Sequence, residues 1–128
     1  MSEKKYTIAI VDDDPFLLDM YTHKFRERDF EVLPFRESAR AAERFKDDAF
    51  TPDVVLLDLM MPSINGYELL EEIKKENLLK NALLIVLSNL SEVADKKRAE
   101  ALGAHGYIIK ASATPNEVVN KVLEMLKH

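Results

Sequence analysis

The chain has 128 residues, of which 32% are charged, and a formal net charge of -5. That length suits one domain with a substantial core, and the acid-leaning mixture of charges argues against an electrostatic nucleic-acid binder. With no cysteine in the chain, disulfides, thiol catalysis and Cys-type zinc sites are excluded as well.

Strand and helix patterns alternate from end to end. The start, Met1-Ser-Glu-Lys-Lys5, is polar and has no apolar leader segment. No apolar run approaches about 18 residues, so a cytoplasmic protein without membrane association is expected. Ile8 to Val11 is a short, branched apolar run and reads as the first strand. Asp12, Asp13, Asp14 and Pro15 follow. Leu17, Met20, Tyr21 and Phe25 recur at helical spacing, which predicts a helix over about 15–28 with Asp14 as its cap. Glu31 to Phe35 reads as a second strand. Its Pro34 cannot donate to a ladder, which places it at a sheet edge. Ser38 is the expected cap of a second helix, with Ala41, Ala42 and Phe45 inward.

Val54 to Leu57 is wholly apolar, ends on Asp58, and is followed by Pro62 and Gly66. It is too short for a helix and reads as a strand buried on both faces. Leu69, Leu70 and Ile73 mark the third helix. Ala82 to Leu87 is a further central strand, followed by Ser88 and by Ser91 as the expected cap of the fourth helix. Gly103 is a good residue to close that helix. Tyr107 to Ile109 is the fifth strand and ends on Lys110. Thr114, Pro115 and Glu117 form a capping box for the last helix, lined by Val118, Val119, Val122, Leu123 and Leu126.

Five strand–helix units imply an α/β fold, a parallel sheet with helices on both faces. Right-handed crossovers and an edge second strand select the doubly wound, flavodoxin-like order 2-1-3-4-5. The switch point then lies between strands one and three. Asp12 and Asp13 meet Asp58 there, with Ser88 and Lys110 at the same edge. Crowded carboxylates repel unless a cation joins them. An all-oxygen donor set fits a hard cation that keeps its waters, which is Mg2+. A carboxylate beside such an ion can attack phosphorus and give an aspartyl phosphate. Mg2+, Lys110 and the Ser88 hydroxyl could each hold one phosphoryl oxygen. His23, His105 and His128 are scattered and show no ligand spacing.

The chain resembles the receiver domain of two-component response regulators, of the single-domain chemotaxis-regulator type. The resemblance covers residues 1–128 as one domain. It is carried by Ile8-Ala-Ile-Val-Asp-Asp-Asp-Pro15, Leu56-Leu-Asp-Leu-Met-Met-Pro62, Gly66, Leu87-Ser-Asn89 and Tyr107-Ile-Ile-Lys110. It implies that Asp58 accepts a phosphoryl group from the phosphohistidine of a sensor histidine kinase or phosphotransfer protein. It implies that Asp12, Asp13, Asp58 and the backbone carbonyl of Met60 hold Mg2+, and that Ser88 and Lys110 bind the phosphoryl group. Ser88 and Tyr107 would be the switch pair. The readout surface for a downstream protein would be helix four, strand five and helix five, with no nucleic acid bound by this domain. The chain departs from the family pattern at two places. Ala111 stands where proline usually follows the lysine, and Asn89 stands where a small residue usually follows Ser88.

Three other readings compete. A haloacid-dehalogenase-like phosphohydrolase uses the same chemistry, but Asp58-Leu-Met60 lacks its second aspartate. An FMN binder would need a Ser-, Thr- and Gly-rich loop after strand one, where this chain has three acids. A degenerate receiver that only binds partners would not need the intact set of acids, serine and lysine.

Overall fold

The computed structural model describes residues 5–61 and 64–127. Pro62, Ser63 and His128 therefore lie outside the described residues. The elements in chain order are β1 (Thr7–Val11), α1 (Pro15–Glu27), β2 (Glu31–Phe35), α2 (Ser38–Phe45), β3 (Val54–Leu57), α3 (Gly66–Lys75), β4 (Leu83–Ser88), α4 (Val93–Ala101), β5 (Gly106–Ile109) and α5 (Pro115–Leu126). The strands pair in parallel in the order β2-β1-β3-β4-β5, as the sequence predicts. Pro34 sits in the edge strand β2, where its missing N–H costs no ladder bond.

The period of two along each strand divides the core. Ala9, Val11, Val55, Leu57, Leu84 and Val86 pack under α2, α3 and α4. Ile8, Ile10, Val54, Leu56, Ile85 and Leu87 pack under α1 and α5. Both sets are buried, which is why β3 reads as a continuous apolar run rather than an alternating one.

Local signals set most helix ends. The Asp14 carboxylate accepts from the N–H groups of Phe16 and Leu17, at 3.0 and 3.2 Å. Thr114 and Glu117 form the predicted capping box of α5, and Asn65 with Glu68 forms a second one at α3. Gly103 closes α4 with a φ of +104°, a value that favours glycine.

Two expected caps are corrected. Ser38 is the first residue of α2 rather than its cap. Its buried hydroxyl donates to the Ile64 carbonyl, and the cap position is Glu37, with no side-chain bond. Ser91 does not cap α4 either; Glu92 holds that place, again with no side-chain bond. The buried stripe of α1 is also turned by one residue. Leu18 joins Tyr21 and Phe25 inside, while Leu17 and Met20 are half-buried. Among the described residues, no helix is long and apolar enough to cross a membrane.

Candidate functional site

Strand register assembles the site. Val11 and Leu57 are partners, so Asp12 and Asp58 leave β1 and β3 side by side. The ladder runs one step further, with the Asp58 N–H donating to the Val11 carbonyl at 3.0 Å. Ser88 pairs with Ile109, and Lys110 is the next residue. Alternation then separates the polar groups into two sets. Asp12, Asp58 and Lys110 each lie two residues beyond Ile10, Leu56 and Ile108, which pack on the α1 and α5 side. Ser88 lies two beyond Val86, and Tyr107 packs with Val86 on the α4 side.

The first set is a charge triangle. Lys110 Nζ lies 2.7 Å from Asp12 Oδ2 and 2.8 Å from Asp58 Oδ2. All three side chains are buried, each exposed by 10% or less. Burial pulls the Lys110 ammonium down, but hydrogen bonds to Asp12 and Asp58 outweigh it and hold its pKa above the usual lysine value. Burial raises the Asp12 carboxyl, and the bond from Lys110 only partly offsets this. The remaining oxygens are also held. Asp12 Oδ1 accepts from the Asp14 N–H at 3.0 Å, and Asp58 Oδ1 accepts from the Met60 N–H at 3.2 Å. A cation joining the carboxylates is thus built into the chain. The sequence reading gave Lys110 only a phosphoryl partner.

Asp13 is the least buried of the acids, and one oxygen from each of Asp12, Asp13 and Asp58 lies within 4.8 Å of the others. That donor set could hold a metal ion, and its oxygen-only chemistry fits a hard divalent cation.

The second set is a hydrogen-bonded chain. Ser88 is fully buried, and its Oγ accepts from the Leu90 N–H at 3.2 Å. The Leu90 carbonyl in turn accepts from the Tyr107 hydroxyl at 2.6 Å. Burial, then the charge of Asp95, raises the Tyr107 pKa, so its phenol stays protonated and donates. Met60 is 62% exposed. It lines a surface cavity of about 570 Å3 together with Leu90, Tyr67 and Arg98.

The two family departures are also placed. Among the described residues no peptide bond is cis, so Lys110–Ala111 is trans; Asn89 is exposed. His23 is exposed, 3.9 Å from Glu27. His105 Nδ1 accepts from the Leu84 N–H at 3.0 Å. Neither histidine belongs to the site. The sequence reading missed Tyr67, whose hydroxyl donates to Asp95 of α4 at 2.8 Å. The available signal was a polar-tipped ring at an inward position just after Gly66.

A five-stranded, doubly wound domain with acids and a buried lysine at its switch point defines a receiver-type module. The family model of the response regulator receiver domain matches residues 8–123. The chain belongs to that family, the receiver domains of two-component systems. It is similar to the regulatory protein VanRc of Enterococcus gallinarum, 33% identical over 127 residues, which cover 99% of this chain and 51% of that protein. The chain thus spans about half the length of the curated relatives it matches. Among solved structures it is similar to the signal receiver domain of NarL from Mycobacterium tuberculosis, with a TM-score of 0.84, 27% identity and 98% coverage of both chains. It is also similar to the BeF3-activated DrrB receiver domain, with a TM-score of 0.82, 26% identity, and coverage of 98% of this chain and 100% of that one.

Proposed function

We propose that Asp58 accepts a phosphoryl group from the phosphohistidine of a sensor histidine kinase or phosphotransfer protein. The observation that carries this reading is the position of Asp58, at the switch point and 2.8 Å from a buried, charged Lys110. A carboxylate oxygen of Asp58 attacks phosphorus in line. A P–O bond forms as the P–N bond breaks, and the electron pair stays on the imidazole, which takes a proton from solvent. The Met60 N–H holds one Asp58 oxygen and so fixes the rotation of the carboxylate. Lys110 keeps its proton, because its pKa is raised. It can therefore follow the negative charge from Asp58 onto a phosphoryl oxygen. The Ser88 hydroxyl can take another.

Asp12, Asp13, Asp58 and the backbone carbonyl of Met60 would hold Mg2+, which when bound neutralises charge on the phosphoryl oxygens. Ser88 and Tyr107 serve as the switch pair. If the Ser88 hydroxyl turns toward the phosphoryl group, the Leu90 N–H loses its acceptor, and Leu90 is the residue whose carbonyl holds Tyr107. The rearrangement is read on the α4–β5–α5 face by a downstream protein. The BeF3-activated DrrB relative supports this reading. In it the chain catalyses only its own phosphorylation and dephosphorylation, and the domain contacts neither nucleic acid nor membrane.

Incubation with acetyl phosphate and Mg2+ should add the mass of one phosphoryl group. Asp58→Asn should remove that gain. Equal labelling of the Asn variant would sink the assignment of Asp58.

A further inference from the structure

Helix α4 is poorly fastened by burial. Only Ala99 of its residues is buried, and Val93 at its start is 66% exposed. It carries no side-chain N-cap bond. Two polar ties from α3 hold it instead. At its first turn, the Tyr67 hydroxyl donates to Asp95 Oδ1 at 2.8 Å. Arg98, three residues further along the same helix, stacks on the Tyr67 ring with Cζ 4.0 Å from its centre. At the other end, Lys74 Nζ donates to the Ala101 carbonyl at 2.8 Å.

The first tie reaches back to the phosphoacceptor loop. Tyr67 follows Gly66, and the Gly66 N–H donates to the Leu59 carbonyl at 3.0 Å. Gly66 lies so close to the backbone of Asp58 and Leu59 that an added Cβ would fall on the Asp58 carbonyl oxygen. The start of α3 therefore cannot shift without moving the Asp58 backbone, or the reverse. The Tyr67 ring is 7% exposed and leaves this junction toward α4.

The geometry points to Tyr67 as a positioning residue that couples the Asp58 loop to α4 through Asp95 and Arg98. This route starts from the α3 junction, whereas the Ser88–Leu90–Tyr107 chain starts from β4 and β5; the two meet where the charge of Asp95 acts on Tyr107 and at the cavity that Tyr67, Leu90 and Arg98 line. The coupling rests on the proposed role of Asp58, whereas the anchoring of α4 does not. The tie is made in the arrangement described here. Any state that displaces α4 must break it, so weakening it in advance lowers the cost of reaching that state.

The test uses Tyr67→Phe, which keeps the ring under Arg98 and removes only the hydroxyl, and Asp95→Ala, which removes the acceptor from the other side. Without ligand, amide exchange across Val93–Ala101 should speed up about tenfold in both variants, while the amides of β1 and β3 keep their protection. The double variant should add little to either single one, because the two residues share one bond. Unchanged exchange in α4 would overturn the anchoring. In a titration with beryllofluoride and Mg2+, both variants should bind about fivefold more tightly than the parent. Equal affinity would overturn the coupling while leaving the role of Asp58 in place. If the parent itself takes up no beryllofluoride, the role of Asp58 fails and the coupling with it; α4 exchange then still decides the anchoring.

Discussion

Helices α3 and α4 follow adjacent strands on the same side of the sheet, yet they are held in different ways. α3 has a complete capping box and buries Gly66, Tyr67, Leu69, Leu70 and Ile73. α4 has no side-chain cap and buries only Ala99. Apolar burial stabilises by area and is nearly indifferent to small changes in charge. Polar ties such as Tyr67 to Asp95 and Lys74 to Ala101 depend on geometry. The difference gives one sheet a firmly packed frame at α3 and a lightly buried helix at α4. In the proposed function the frame holds Asp58 in position and α4 is the reader of a charge placed there.

The largest effect expected from this contrast is on stability. Leu70→Ala in α3 removes a fully buried side chain and should cost about 2–5 kcal/mol in urea unfolding. Val93→Ala in α4 should stay within about 0.5 kcal/mol of the parent. Similar losses at both positions would erase the distinction between frame and reader.

A smaller effect concerns the lifetime of the phosphorylated form. An aspartyl phosphate is lost when water attacks in line, and a polar group must orient that water. Met60 and Leu90 line one cavity beside the site, and neither can do so. Met60→Asn combined with Leu90→Glu should shorten the lifetime roughly tenfold, read as decay after the donor is removed. An equal or longer lifetime would show that these side chains do not control access of the water.

The smallest effect is a pH dependence of the tie itself. Burial and then the bond to Asp95 push the Tyr67 phenol up to about 12 from its ordinary 10.0. A raised folded-state pKa means that its stabilisation is fully present below pH 10 and is lost as the pH rises through about 12. The parent should therefore be more stable than Tyr67→Phe at pH 8, and the gap in urea midpoints should close between pH 10 and pH 12. A constant gap would mean that the hydroxyl does not hold α4.

The frame was readable from the chain because its signals are local or periodic. Pro34 marks the edge strand, the apolar run Val54–Leu57 marks the centre, and Asp12, Asp58, Ser88 and Lys110 fall at strand ends. Once the strand order is known, the acids must meet. The ties of the reader were not readable, because they join residues far apart in sequence. Tyr67 and Asp95 are separated by 28 positions, and nothing near either one names the other. Lys110 falls at the acids' edge once the strand order is known, but its pairing with Asp12 and with Asp58, 52 positions away, appears only in the side-chain geometry. Ser38 and Ser91 have the chemistry of a cap. Tertiary context overrides it at Ser38, whose hydroxyl serves the Ile64 carbonyl. At Ser91 the helix starts one residue later than a cap there would require.

In the proposed function, a charge placed at Asp58 is read through α4, β5 and α5. The most direct measurement is a map of amide NMR shifts on adding beryllofluoride and Mg2+ to the parent. The changes should cluster around Asp58 and across Val93–Ala101, Gly106–Ile109 and Pro115–Leu126, with little change in the cores of β1 and β3. Changes confined to α2 and α3, with α4 unmoved, would contradict it.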